Sequence, residues 1–516
     1  MSRRPKLFVD ALAVASVVLG AAGPFLCGAL AHESPWLLAD RRPRYEGPGH
    51  SGVPLASGED GQVLGFPSDG VALLSWIPLP AFEDASENAN DIWAYVSPSG
   101  REYAVVGLSN GTGFVEVTDP LDPRIVAVIP DLTSLWSDMK VYGRHAYNVN
   151  EAGDGIQIID LEGIDDGVVA LSGTFTADGL WTSHNIAVNE ESGFAYLAGS
   201  NLGLGGITAV DLSDPENLQI AGAWDLSYVH DVEVVSYPSG PYAGREIAFA
   251  STPGSGLVII DVTDKSDMFT LSFLAYQDNV YTHSGWLSAD RRHFFVNDEL
   301  DELWDEDITT TTTRVIDVED LENPVFVASF TNGNSAIDHN SMTRGDHLFL
   351  SNYRSGLRVY DVSDVEQMEE VGYFDTYPEN DDPGFNGAWG VHAALPSGVV
   401  LISDMQRGLF VLDPSGATGG ASSVPGPGAR MHSGIYPNPV RSSSQIYFSL
   451  VEPARVRIRI VDAAGRILDS PVEGDYGPGI HLVRWRPDRD ALASGVYFAL
   501  LEAGPSRSVH RILLVR

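Results

Sequence analysis

Cysteine is almost absent from this chain, since Cys27 is the single cysteine among 516 residues. Disulfide bonds therefore cannot hold the fold, which must depend on an apolar core or on bound metal. Basic residues are also scarce, with 31 Lys and Arg against 70 Asp and Glu and a formal net charge of -39. Such a balance argues against nucleic acid as a partner and favours cations or basic surfaces.

Long apolar runs are missing after the N-terminus, so the sequence predicts no transmembrane segment beyond it. Basic residues between Arg3 and Lys6 precede an apolar stretch from Ala11 to Leu30, and Ala29–Ala31 forms a small-x-small cleavage pattern. We therefore expect residues 1–31 to be a cleaved signal peptide. The alternative is an uncleaved membrane anchor, which is less favoured because Pro24 interrupts the apolar run.

Sustained helical periodicity is also lacking, and the feature present instead is a repeated phrase. In each copy an apolar run ends in an acidic residue and a turn, as in "GLVIIDVTD". The phrase occurs at 111–120, 155–165, 206–215, 256–264, 312–320, 356–364 and 408–416. Copies about fifty residues apart are typical of four-stranded propeller blades.

The two ends of the repeat array complement each other. After the last copy the expected fourth strand is missing, whereas residues 71–79 form an orphan strand before the first copy. If that strand completes the last blade, the ring closes without a free edge. We therefore predict an all-β fold with a seven-bladed β-propeller over residues 71–413, preceded by an N-terminal extension over residues 32–70.

The tail differs in composition and charge. Residues 414–434 have the Gly, Pro and Ser content of a flexible linker. Residues 435–516 alternate short strands and turns, with apolar residues at Val456, Ile458 and Ile460 and arginines between them. Their size suits a small Ig-like β-sandwich.

Two resemblances extend this reading. "YPNPV", "DAAGR", "SGVYF" and the basic last strand resemble the C-terminal sorting domain of the type IX secretion system, related to the Ig-like flagellar hook-capping domain. That resemblance implies passage across the outer membrane to the cell surface or medium, with the secretion machinery as partner; the alternative is an accessory Ig-like domain. The repeats resemble LVIVD repeats, and the arrangement is similar to the choice-of-anchor B family, which implies a propeller but no particular activity.

One position recurs at the start of the first strand of each repeat unit. A propeller places its first strands innermost, so we expect these residues to ring one mouth of the axial channel. Such a ring suits a transition metal such as Zn²⁺ or a catalytic base, with His230, His283 and His339 as the catalytic candidates. The alternative is that the histidines join neighbouring blades by hydrogen bonds. The ring consists of Asp91, Asp138, His184, His230, His283 and His339, with Trp389 in the last unit.

An acidic turn in the fifth unit breaks the repetition. "VNDELDELWDEDITT" offers Asp298, Glu299, Asp301 and Glu302 as candidate metal ligands. Oxygen-rich ligands suit Ca²⁺ better than a transition metal, although a solvated acidic loop is the alternative.

These observations leave two functional hypotheses. The first is an exported, cell-surface or secreted propeller that acts as a binding or scaffold module for an extracellular ligand or protein and is stabilised by calcium. The second is a metal-dependent hydrolase, acting on lactones or phosphodiesters at the axial mouth. The histidines discriminate between them: an enzyme should gather His230, His283 and His339 with an acid around one metal position.

Overall fold

The computed structural model of the chain describes residues 40–515 except 59, 83–85, 306, 420–432, 437–438, 442, 451–452, 463–464, 478, 488–491 and 505. The predicted signal peptide, residues 32–39 of the predicted extension and most of the predicted linker lie outside the described residues. The described chain is almost entirely β, as the short repeats and frequent turns predict.

Four-stranded antiparallel sheets follow one another along the chain after three short strands, β1 (Gln62–Val63), β2 (Phe66–Asp69) and β3 (Ala72–Ile77). The first sheet comprises β4 (Ala89–Val96), β5 (Glu102–Leu108), β6 (Gly111–Glu116) and β7 (Arg124–Pro130). The second comprises β8 (Ser137–Tyr142), β9 (His145–Asn150), β10 (Ile156–Asp160) and β11 (Ala170–Phe175). The third comprises β12 (Asn185–Asn189), β13 (Phe194–Ala198), β14 (Ile207–Asp211) and β15 (Gln219–Trp224).

The remaining sheets of this region repeat the same order. The fourth comprises β16 (Asp231–Ser236), β17 (Glu246–Thr252), β18 (Gly256–Asp261) and β19 (Phe269–Leu274). The fifth comprises β20 (Thr282–Leu287), β21 (His293–Asp298), β22 (Thr313–Asp317) and β23 (Val325–Phe330), with a short helix α1 (Asp301–Trp304) after β21. The sixth contains β24 (Asn340–Arg344), β25 (His347–Ser351), β26 (Leu357–Asp361) and β27 (Glu369–Phe374).

The seventh sheet is assembled from both ends of the region. Its consecutive strands are β28 (Ala388–His392), β29 (Val400–Asp404) and β30 (Gly408–Asp413), and its fourth strand is β3, which pairs antiparallel with β30. The predicted extension also joins a sheet, because β2 pairs with β27 and carries β1 outside it. A short helix, α2 (Ser415–Thr418), follows β30.

First strands form the inside of this propeller-like arrangement. β4 contacts β8, and the contacts continue through β12, β16, β20, β24 and β28, which contacts β4 again. The second and third strands of each sheet are buried on both faces, which explains their continuous apolar runs. The start of every first strand therefore faces one common axis.

In six of the seven repeats, the aspartate that ends the apolar run accepts a hydrogen bond in the exit turn of the third strand. Oδ1 of Asp261 accepts the N–H of Thr263 at 3.0 Å, and Asp211 and Asp361 accept the equivalent N–H groups at 2.8 and 2.9 Å. A carboxylate that bonds the backbone two residues later stabilises such a turn. The repeated acid therefore belongs to the architecture of the sheets.

A small residue stands opposite the third strand, just before a shift in register, in every one of these sheets. At Ser272 the position packs close to the exit turn of the next sheet, since its Oγ donates to the carbonyl of Leu321 at 2.6 Å. Where the turn lies this close, a side chain larger than serine would displace it. The seven residues are Ser75, Ala127, Gly173, Gly222, Ser272, Ala328 and Gly372.

Gly222→Ala and Gly173→Ala test this packing as a matched pair. A Cβ at Gly222 would collide with the carbonyl oxygen of Lys265, whereas no atom lies within 4 Å of a Cβ at Gly173. We expect Gly222→Ala to lower the free energy of unfolding by about 1–3 kcal/mol. Gly173→Ala should leave it unchanged or raise it by about 0.4–1 kcal/mol. Urea unfolding measures both, and equal effects would contradict the packing described.

The C-terminal region forms a separate pair of sheets around its own apolar core. Val456, Ile458 and Ile460 are buried and the arginines at 455 and 457 are exposed, so the strand that contains them has one buried face. The strands are β31 (Ser433–Tyr436), β32 (Ser444–Leu450), β33 (Ala454–Val461), β34 (Ile467–Tyr476), β35 (Gly479–Trp485), β36 (Gly495–Ala503) and β37 (Ser506–Leu514). One sheet has the order β31-β32-β35 and the other β34-β33-β36-β37.

Candidate metal centre in the axial cavity

The six residues that open the first strands line one cavity of about 300 Å³ on the common axis. Their equivalent positions in the repeat units predict this arrangement, because equivalent residues of successive sheets point to the same axis. Trp389, the corresponding residue of the seventh sheet, also lines the cavity and stacks on Trp136 with ring centroids 4.7 Å apart. We call this space the axial cavity. Its ring residues are Asp91, Asp138, His184, His230, His283 and His339.

Four histidines stand side by side around one half of this ring. The ring centroids of His184 and His230 are 4.2 Å apart, as are those of His230 and His283. The centroids of His283 and His339 are 4.3 Å apart. His230, His283 and His339 are at most 2 % exposed. The four imidazoles thus form a continuous buried row.

Glu299 lies beside two histidines of this row, His283 and His339. Its Oε2 lies 3.9 Å from Nε2 of His283, and its Oε1 lies 3.6 Å from Nε2 of His339. One ligand atom each from His230, His283 and Glu299 lie within 4.8 Å of one another. Two imidazoles and a carboxylate at this spacing provide the ligand types that bind zinc.

The tautomer of His339 is fixed by the neighbouring sheet. Its Nδ1 donates to the carbonyl oxygen of Trp389 at 2.6 Å, so Nε2 carries the lone pair in the neutral ring. That nitrogen is the atom that faces Glu299. His339 therefore links two neighbouring sheets by a hydrogen bond and also keeps one nitrogen available to a ligand.

Tyr353 holds Glu299 next to His339. Its hydroxyl donates to Oε1 of Glu299 at 2.8 Å, and the residue is fully buried. Its φ of 34° is in a region that bulky residues rarely adopt. Strained backbone of this kind concentrates at functional sites, where the surrounding structure enforces it.

Burial disfavours charge at this centre. Burial raises the pKa of Glu299 to about 8, and burial lowers the pKa of His339 to about 3. Burial thus favours the neutral form of both groups at pH 7, because the ionised form of either would lose its hydration. A divalent cation would reverse this preference by favouring the ionised carboxylate.

The predicted acidic ligands are divided among three places. Glu299 joins the histidines, whereas Asp298 holds the preceding loop by accepting the N–H groups of Tyr281 and Val280 at 2.5 and 3.0 Å. Asp301 pairs with Arg314 at 2.7 Å. Asp301 and Glu302 lie together in α1 and are grouped with a different carboxylate, not with the histidines. The four residues thus do not surround a single position.

Asp91 and Asp138 occupy the other half of the ring, where they share a lysine. Nζ of Lys140 lies 3.1 Å from Asp91 and 2.5 Å from Asp138, and these opposite charges raise the pKa of the lysine. Oδ2 of Asp138 also accepts the amide of Asn185 at 2.8 Å. Lys140 is not among the residues predicted from the sequence, although its place two residues after Asp138 in an inner strand puts it on the same face.

His184 binds the preceding sheet. Its Nδ1 lies 2.6 Å from Oε1 of Glu151, which follows β9. Such contacts are expected under the alternative prediction, in which the histidines join neighbouring repeat units by hydrogen bonds. His184 and His339 thus both link sheets, while His230 and His283 converge on Glu299.

The lining of the axial cavity also contains acidic and aromatic side chains. Asp231 and Glu233 lie on β16 and are half-buried, and Trp93 and Trp286 line the same cavity. Burial raises the pKa of Asp231 to about 6 and that of Glu233 to about 8. The cavity therefore offers two carboxyl groups able to exchange a proton near neutral pH.

Comparison with known proteins identifies the C-terminal region. Residues 434–515 match the family of secretion system C-terminal sorting domains. The match indicates export to the cell surface or the medium by the type IX secretion system, whose machinery such a domain contacts. In the part of the chain that the structure describes, no helix is long and apolar enough to cross a membrane.

Similarity to other proteins is distant. A protein from Lactobacillus plantarum of known crystal structure has 12 % identity and a TM-score of 0.43, over 77 % of this chain and 98 % of that one. A functionally unknown protein from Desulfotomaculum acetoxidans has 15 % identity and a TM-score of 0.42, over 58 % of this chain and 88 % of its own. No curated protein sequence is significantly similar to this chain.

Proposed function

We propose that this chain is an exported seven-bladed β-propeller that binds one transition-metal ion, such as Zn²⁺, in its axial cavity. The propeller spans residues 71–413 in this proposal, with β3 completing the last blade and an Ig-like sorting domain from residue 435. The sheets of four strands and the closed circuit of inner strands support seven blades. Membership of the choice-of-anchor B family is part of the same proposal.

The observation that carries the metal proposal is the convergence of His230, His283 and Glu299 within 4.8 Å. Zinc prefers imidazole and carboxylate ligands in a tetrahedral arrangement. His339 presents a fourth nitrogen next to Glu299. The positive charge of the ion would compensate the ionised carboxylate of Glu299, and the histidines would bind the ion as neutral imidazoles. Binding therefore removes the cost of burying a charged carboxylate.

Metal titration of the purified protein tests this proposal. After chelator treatment and dialysis, we expect the protein to bind one equivalent of Zn²⁺ tightly and to melt at a higher temperature when it is bound. Elemental analysis gives the stoichiometry, and calorimetry gives the affinity. Unchanged melting together with no retained zinc would refute the proposal.

Metal-dependent hydrolysis is a second candidate function, favoured by one observation. His230 and His283 line the same cavity as Asp231 and Glu233, so a metal on the histidines would lie beside groups able to transfer protons. Bis(p-nitrophenyl) phosphate and a thiolactone serve as probes. Zinc-dependent turnover that is lost in Glu233→Gln would support hydrolysis, whereas tight zinc binding without turnover would leave a binding function.

Deleting residues 435–516 tests the export route in the native host. We expect the truncated protein to be absent from the cell surface and the medium and to accumulate in the periplasm, because the sorting domain directs the last crossing. Immunoblots of cell fractions measure the outcome. As a control, Arg455→Gln at an exposed position in β33 should be delivered normally. Normal delivery of the truncated protein would contradict the assignment.

A further inference from the structure

A second cluster of carboxylates lies between the fifth and sixth sheets, separate from the histidine row. Asp301 and Glu302 open α1, after β21, and Asp338 lies two residues before β24. One oxygen from each of the three carboxylates lies within 4.8 Å of the others. Asp301 and Asp338 are fully buried, and Glu302 is 9 % exposed. We call this cluster the acidic triad.

Two members of the acidic triad lack a partner for their charge. Asp301 is accounted for, since one oxygen accepts from Arg314 at 2.7 Å and the other accepts the N–H of Glu302 at 2.9 Å. Neither oxygen of Glu302 nor of Asp338 has a hydrogen-bond partner among the described residues. Buried carboxylate oxygens are rarely left in this state, so both point to a ligand that the protein chain does not supply.

Charge balance leads to the same conclusion. The triad carries three negative charges when ionised, and Arg314 supplies one positive charge, so two negative charges remain buried. Burial and mutual repulsion raise the pKa of Glu302 and of Asp338 well above the usual range. Two protons or one divalent cation would neutralise the remainder.

We propose that the acidic triad is a binding site for one hard divalent cation, Ca²⁺ in first place. Its donors are oxygen atoms only, which Ca²⁺ prefers and which distinguish it from the nitrogen-containing centre of His230 and His283. The ion joins α1 of the fifth sheet to the start of the inner strand of the sixth. The sequence predicts Asp298, Glu299, Asp301 and Glu302 as metal ligands. The proposed calcium site includes Asp301 and Glu302 from that set, together with Asp338, and does not include Asp298 or Glu299.

The acidic triad also acts on the axial cavity through the chain. Asp338 is adjacent to His339, and Asp301 lies two residues after Glu299. A cation that fixes these two segments therefore positions both of those side chains in the cavity. Calcium stabilises the frame of the transition-metal centre in this arrangement and does not take part in its chemistry.

Thermal melting and terbium luminescence test the calcium site in the full chain. Ca²⁺ should raise the melting temperature above that in EGTA, and Tb³⁺ should become luminescent on excitation of tryptophan, because Trp304 lies in α1 itself. Excess Ca²⁺ should quench the terbium signal. No shift in melting and no terbium signal would overturn the proposal and assign protons to the triad instead.

Substitutions distinguish Ca²⁺ binding at the acidic triad from non-specific binding by other acidic residues. Glu302→Gln and Asp338→Asn should each weaken Ca²⁺ binding at least tenfold, remove the calcium-dependent shift and raise the melting temperature in EGTA. The last effect follows because each removes an uncompensated buried carboxyl group. Asp307→Asn, at an exposed acid on the same loop, should keep the full calcium response. Equal calcium responses of Glu302→Gln, Asp338→Asn and Asp307→Asn would contradict the site. His283→Ala, which changes only the histidine row, should retain the calcium response.

Discussion

Replacing His283 with alanine is expected to lower the affinity for Zn²⁺ by a factor of about 100 or more, since even residues behind metal ligands contribute 10–100-fold. His283 contributes its imidazole to the cluster with His230 and Glu299, and it is 2 % exposed. Water cannot readily replace the lost ligand in a buried site. Competition with a zinc chelator measures the change in affinity.

His347→Ala is the matched control for this experiment. His347 begins β25, is half-buried and lies outside the axial cavity lining. Its substitution should leave zinc affinity unchanged. Glu299→Gln should weaken zinc binding strongly while keeping the shape of the side chain, because the amide cannot supply the negative charge. Equal affinity of wild type, His283→Ala and Glu299→Gln would place the metal elsewhere.

Leu73→Ala is expected to lower the free energy of unfolding by about 3 kcal/mol, within the range of 2–5 kcal/mol for buried leucine truncations. Leu73 is fully buried in β3 and pairs with Leu412 of β30. It packs in a cluster with Phe410 and Trp76, the rings of which stack 5.2 Å apart. The substitution thus weakens the strand that joins the two ends of the sheet array.

Leu64→Ala provides the control for the closing strand. Leu64 precedes β2 and is 40 % exposed, so its truncation should change the free energy of unfolding by less than about 0.5 kcal/mol. Urea unfolding followed by tryptophan fluorescence compares the two variants. A loss below about 1 kcal/mol for Leu73→Ala would show that β3 contributes little to closure of the array.

The regular parts of the fold follow from local patterns. "GLVIIDV" is buried on both faces between two strands, so its apolar run is continuous, and Asp261 ends it by bonding the turn. The pairing of β3 with the last sheet can also be predicted locally. β3 is apolar, and no neighbouring strand in the sequence is available to pair with it. Neither inference needs contacts between distant side chains.

The extension shows where local patterns are insufficient. β1 and β2 add to the outside of the sixth sheet, beside β27, although the sequence of residues 62–69 contains no strong strand pattern. Pairing at a sheet edge depends on backbone groups, which every residue has. The sequence therefore predicts a strand only where burial imposes a pattern on its side chains.

The site was foreseeable in part for a similar reason. Repetition brings His230, His283 and His339 to one ring, because equivalent residues share an orientation. The sequence indicates Glu299 as an acid of the turn after β21, but its place beside the histidines depends on how that turn folds back. Asp338 carries no signal of its own, since its pairing with Glu302 joins two different sheets.

Anomalous X-ray diffraction at the zinc absorption edge, from crystals soaked in Zn²⁺ and Ca²⁺ together, tests the central claim most directly. The account predicts one zinc peak within about 2.0–2.2 Å of imidazole nitrogens of His230 and His283 and of a carboxylate oxygen of Glu299. A zinc peak confined to the acidic triad, or no zinc peak in the axial cavity, would contradict it.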